Sequence, residues 1–75
     1  MKTVLNTQDH LGGKVQVKQF DAMFDGRHSA IETYYLVTWA DISILYRKHD
    51  YMKDFSPLRR LDNAIFDQII EIVGE

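Results

Sequence analysis

The sequence predicts a small soluble α+β domain: a three-stranded antiparallel sheet with a C-terminal amphipathic helix packed on it. Three observations carry this reading. Val15 and Val17 alternate with Lys14, Gln16 and Lys18 at the period of a half-buried strand. Residues 31–39 are rich in β-branched and aromatic side chains, which suit a pleated surface. Leu58, Leu61, Ile65, Ile69 and Ile72 recur at helical spacing after Ser56-Pro57.

Taken in order, residues 1–13 are the least patterned, and Gly12-Gly13 marks a turn before the first regular element. Lys14 to Phe24 is the first expected strand. Its phase slips, because Phe20, Ala22 and Phe24 take the other parity; a bulge near Lys18-Gln19 would return them to one face. Asp25-Gly26 is a turn signal, since glycine supplies the positive φ of tight hairpins.

Ile31 to Trp39 is the second expected strand. A helix competes over residues 29–45: Ser29-Ala30-Ile31-Glu32 matches a capping box, and Ile31, Tyr35, Thr38, Ile42 and Leu45 also fit helical spacing. The run Tyr34 to Trp39 suits a sheet better. Ile42, Ile44 and Tyr46 alternate as a third strand, with a turn or bulge at Ala40-Asp41. Residues 46–55 read as a loop or a short helix. The helix then runs from Pro57 to Val73, with Ser56 capping its first amides and Gly74 at its end. The expected organisation is one domain over residues 1–75: an N-terminal segment 1–13, a sheet over 14–46 and a helix over 56–73.

Composition bounds the function. Hydrophobic residues make up 45% of the chain and charged residues 27%, which is ordinary for a folded domain and excludes disorder over most of it. Cysteine is absent, so disulfides, thiolate metal sites and a cysteine nucleophile are excluded. That composition suits a reducing, intracellular (cytoplasmic) compartment. The first residues lack the apolar core of a secretory signal, and the longest apolar stretch, Tyr34 to Tyr46, is broken by Thr38, Asp41 and Ser43, so no membrane span is expected.

The net charge of -2 argues against a dedicated nucleic-acid binder. Its distribution is uneven. Arg47, Lys48, Lys53, Arg59 and Arg60 precede an acidic C-terminal stretch with Asp62, Asp67, Glu71 and Glu75.

No catalytic, cofactor-binding or metal-binding residue is expected. His10, His28 and His49 share no short ligand spacing. His28-Ser29 and His49-Asp50 are sequence neighbours, which point to opposite faces of a strand rather than forming a triad. Gly12-Gly13-Lys14 lacks the upstream glycine and the following Ser or Thr of a phosphate loop.

Two patterns exceed what a core requires. Phe66, Ile70 and Val73 widen the helix's apolar arc to about half its circumference, so Phe66 and Ile70 face either a partner or the N-terminal segment with Val4 and Leu5. The strand around Tyr35, Val37 and Trp39 is apolar on its other face too, through Tyr34, Leu36 and Ala40, and wants cover on both. Arg59 and Arg60 fall in the expected first helical turn, where the macrodipole disfavours cations; Asp54, Asp62 or an acidic partner would offset this.

The candidate partner-binding residues are therefore Trp39, Tyr35, Phe66, Ile70, Arg59 and Arg60. The expected function is a non-catalytic protein-protein interaction module, an inhibitor or adaptor acting by surface binding or self-association. The alternative is a nucleic-acid or histone-tail-type reader using the basic 47–60 segment with Tyr46 and Tyr51.

From Val15 to Val73 the order of parts resembles a chromodomain. Tyr35-Leu36-Val37-Thr38-Trp39 is similar to the Tyr-Leu-Val-Lys-Trp segment of that family. The Asp25-Gly26-Arg27 turn and the spacing from Trp39 to Ser56-Pro57 fit it, and Phe66 to Ile72 looks like its apolar helix. The resemblance implies the three-stranded architecture. Of the family's methyl-lysine cage only Trp39 carries over, since Val15 and Val17 occupy the first strand, Ile42 stands near the last cage place, and the second tryptophan segment is absent.

Overall fold

Among the described residues four strands, not three, build the sheet. A computed structural model describes residues 1–24 and 30–74 of the chain. Its strands are β1 (Lys2–Gln8), β2 (Lys14–Phe24), β3 (Ala30–Trp39) and β4 (Ile42–Arg47), in the spatial order β1-β2-β3-β4, each antiparallel to its neighbour. The additional strand comes from the segment without a readable pattern. Its register shifts between Thr3 and Leu5, so the sequence neighbours Val4 and Leu5 both pack against the core where a regular strand would alternate. That irregularity hides the strand's period from a pattern reading.

The expected bulge at Lys18-Gln19 is absent. β2 and β3 pair without interruption from Val15↔Trp39 to Phe24↔Ala30. The slip in apolar parity is therefore real: Val15 and Val17 face the helix, and Phe20 and Ala22 face away from it. Residues 29–45 hold no helix among the described positions; β3 and β4 meet through the Ala40-Asp41 turn, with Ala40 at φ 53°. The Asp25-Gly26 turn expected from sequence lies outside the described residues, as does Ser29 of the capping box.

β2 and β3 outrun their neighbours. β1 pairs as far as Gln19 and β4 as far as Tyr34, so residues 20–24 and 30–33 form a two-stranded arm. Met23 and Ile31 lie opposite each other on this arm, 66% and 70% exposed. The long hairpin accounts for the elongated shape, 44 × 23 × 20 Å.

The helix is shorter than the expected Pro57–Val73. Ser56–Leu58 form a 3-10 turn, and α1 spans Asn63–Val73 with Asp62 as its N-cap residue. Leu58 and Leu61 are both buried, but they reach the core from irregular backbone rather than from a helical stripe. Arg59 and Arg60 thus sit before the helix, and the macrodipole conflict expected for them does not arise. Gly74 closes α1, its N–H donating to the Ile70 carbonyl at 2.7 Å.

One core lies between α1 and the near face of the sheet. Val15, Val17, Tyr35, Val37 and Tyr46 meet Leu58, Leu61, Ile65, Ile69 and Val73, with Val4, Leu5, Trp39, Ile44, Phe55, Phe66 and Ile72 at its margins. Each fully buried Val, Leu or Ile contributes about 1.5–3 kcal/mol relative to exposure, and no disulfide adds to this.

Candidate partner-binding surface

The outer face of the sheet carries the unassigned apolar surface. Alternation places Lys14, Gln16, Lys18, Phe20 and Ala22 of β2 on it. Thr38, Leu36, Tyr34 and Glu32 of β3 join them, with Ser43, Leu45 and Arg47 of β4. At its centre Phe20 and Tyr34 pair directly across strands and stack, with centroids 5.6 Å apart and an interplanar angle of 18°. Leu36 and Leu45 pair on the next strands, and Leu45 is 54% exposed. The buried residues of α1 and of the 3-10 turn all join the opposite face, so no described element packs here.

Charge rings this patch. Lys14, Lys18 and Arg47 border it against one carboxylate among the described residues, Glu32, although the chain as a whole is acidic at -2. The acidic residues Asp62, Asp67 and Glu71 belong to the helix on the other side of the sheet.

The residues selected from sequence divide differently. Tyr35 is buried at the centre of the core. Trp39 is half-buried at its margin, and its indole N–H donates to Asp9 Oδ2 at 2.7 Å. Phe66 packs against the core, with the Arg59 guanidinium 5.8 Å from its ring centroid. Ile70, one turn on, is half-buried, and Arg60 is exposed. The structure thus joins Arg59 to Phe66 beside Ile70, and separates them from Tyr35 and Trp39. Phe20 and Leu45 were missed as surface residues. The signal for Phe20 is the parity slip in β2, which a bulge would explain away; that for Leu45 is its place opposite in parity to Ile44 and Tyr46 of β4, and Tyr34 and Leu36 are visible as a second apolar face.

The basic 47–60 segment is partly structural. Lys53 donates to the carbonyls of Lys48, at 2.8 Å, and of Val73, capping the C-terminus of α1. Burial pushes the Lys53 ammonium below its ordinary value, and the nearby Asp50 opposes that. The Tyr46 hydroxyl donates to the Asp54 carbonyl at 2.7 Å, and its ring stacks on Phe55 at 5.0 Å. Burial pushes the Tyr46 phenol up, reinforced by Asp54. Lys48, His49, Asp50, Tyr51, Lys53, Phe55 and Gly74 line a shallow cleft of about 210 Å³. That is below the roughly 300 Å³ at which small-molecule sites begin.

Among the described residues no group of three His, Asp or Glu side chains could hold a metal ion. No described helix is long and apolar enough to cross a membrane. Compared with protein-family models, with curated proteins and with solved structures, the chain matches none.

Proposed function

We propose that this chain is a non-catalytic protein-binding module whose partner seats on the outer face of the sheet. The observation that supports it is the stacked Phe20–Tyr34 pair, half-buried like Leu36, with the 54% exposed Leu45 beside them on a face against which no described element packs. Partner-facing surfaces of this kind concentrate their energy in a few aromatic and aliphatic anchors inside a polar rim. The rim here is basic, through Lys14, Lys18 and Arg47, so the partner that fits is a protein with an apolar centre and an acidic border. Such a module acts by occupying a surface, as an inhibitor or an adaptor does.

Affinity capture with the tagged chain, before and after nuclease, tests this. The reading expects a protein retained through nuclease and moderate salt, and lost with Tyr34→Lys or Leu36→Lys while the circular dichroism spectrum stays unchanged. A reader of nucleic acid or of a histone-type tail is the second reading, favoured by the cations that flank stacked aromatics on a sheet. Nuclease sensitivity and a steep loss with salt would support that reading instead.

A further inference from the structure

The two edges of the sheet are unequal. β1 carries an irregularity between Thr3 and Leu5 and opens on Lys2, both of which deter pairing with another chain. β4 is regular from Ile42 to Arg47, with no proline and no charge before Arg47. The bond from Lys48 N–H to the Thr33 carbonyl, 2.9 Å, sets the phase of its ladder. Antiparallel bonding alternates, so Ile42, Ile44 and Tyr46 bond towards β3 while the backbone groups of Ser43, Leu45 and Arg47 point off the sheet. The Arg47 carbonyl accepts the Asp50 N–H at 3.2 Å. The other outward groups of these residues have no partner among the described residues.

We propose that β4 pairs with β4 of a second copy of this chain, antiparallel about a two-fold axis at Leu45. This goes beyond the partner surface and does not rest on it, although the two contacts meet at Leu45 and Arg47. β4 is complementary to itself in that arrangement. Leu45 meets Leu45 of the second copy, burying a side chain that is 54% exposed in one chain, and Leu36 beside it makes the apolar stripe continuous. Asp41 lies at one end of the strand and Arg47 at the other, and neither has an ion-pair partner among the described residues. Antiparallel pairing sets Ser43 opposite Arg47 of the second copy and brings Asp41 diagonally beside that same arginine. The pairing forms about four new backbone hydrogen bonds. A closed two-fold contact also uses up the open β4 edges, leaving only the β1 edges, which their irregularity and Lys2 guard against further pairing.

The absence of cysteine makes the test clean. Single-cysteine variants are treated with dibromobimane, a short thiol-to-thiol cross-linker. Leu45→Cys is expected to give a covalent dimer and Asn6→Cys, on the β1 edge, a monomer. Light scattering after gel filtration is expected to show two copies per particle for the unmodified chain and one for Leu45→Lys. Asp41→Lys should weaken the dimer, and Asp41→Lys combined with Arg47→Asp should restore it, which separates lost pairing from lost folding. A monomer at every concentration into the millimolar range would overturn the proposal. So would a dimer indifferent to Leu45→Lys, or equal cross-linking at positions 45 and 6.

Discussion

Trp39 and Asp9 are 30 residues apart, and the indole N–H of one donates to the carboxylate of the other at 2.7 Å. The same carboxylate accepts the Leu11 and Gly13 amides at 3.0 and 2.6 Å. It therefore orders the β1–β2 turn and ties that turn to the end of β3. The turn also reaches the helix, because His10 Nδ1 lies 2.5 Å from Oδ1 of Asp62, the N-cap residue of α1. One short connection thus joins three parts of a chain that has no covalent cross-link.

Asp9 should control acid stability. The Trp39 indole, then the Gly13 amide, hold its carboxyl below the ordinary value of 3.8; desolvation opposes this, and the Leu11 amide and His10 add smaller lowering contributions. A carboxylate depressed on folding contributes stability that is fully present above its unfolded value and lost as pH falls through the folded one. Asp9→Asn should therefore lower the melting temperature at neutral pH and shrink the loss of stability on acidification below 3.8. Part of that loss should remain, because Asp54 is also held low, by the side chain and amide of Ser56. Fluorescence of the single tryptophan during thermal melts at several pH values measures both effects.

Ile69 and Ile70 are adjacent in sequence but should behave differently. Ile69 is fully buried, so Ile69→Ala should cost about 2–5 kcal/mol. Ile70 is half-buried at the flank of α1, and Ile70→Ala should cost less than about 1.5 kcal/mol. Urea denaturation of both variants reads the difference.

Ala40 holds a left-handed backbone conformation, with φ 53°. The strain of a Cβ there is about 1–2 kcal/mol, and glycine's extra unfolded-state entropy offsets about 0.4–1 kcal/mol of it. Ala40→Gly should therefore stabilise the chain by about 0.5–1 kcal/mol. A rise of a few degrees in melting temperature would register it.

Lys53 gathers the Lys48 and Val73 carbonyls at the end of α1. Lys53→Met keeps the stem and removes the ammonium. It should cost about 0.3–1 kcal/mol and fray the last helical turn. Amide hydrogen exchange at Ile72 and Val73 should speed up while Ile69 stays protected.

Much of the fold was legible because burial imposes a period. Val15 and Val17, Tyr35 and Val37, and Ile65, Ile69 and Val73 each repeat at the spacing of the element that buries them. β1 was not legible, since its irregularity between Thr3 and Leu5 erases alternation where the pattern would have been read. The helix was overextended because Leu58 and Leu61 also match helical spacing, although a 3-10 turn delivers them to the core. The candidate surface was half visible: Tyr34 and Leu36 stood out as a second apolar face, whereas Phe20 was folded inward by a bulge that β2 does not contain. Trp39 is legible as an aromatic of β3, but its bond to Asp9 depends on a contact across 30 residues that no local pattern encodes.

The most direct test of the central claim compares partner capture by the unmodified chain and by Tyr34→Lys, with thermal melts of both. The partner surface predicts at least about a tenfold loss of capture with little change in melting. Undiminished capture by a folded Tyr34→Lys chain would contradict it and move the binding surface off this face.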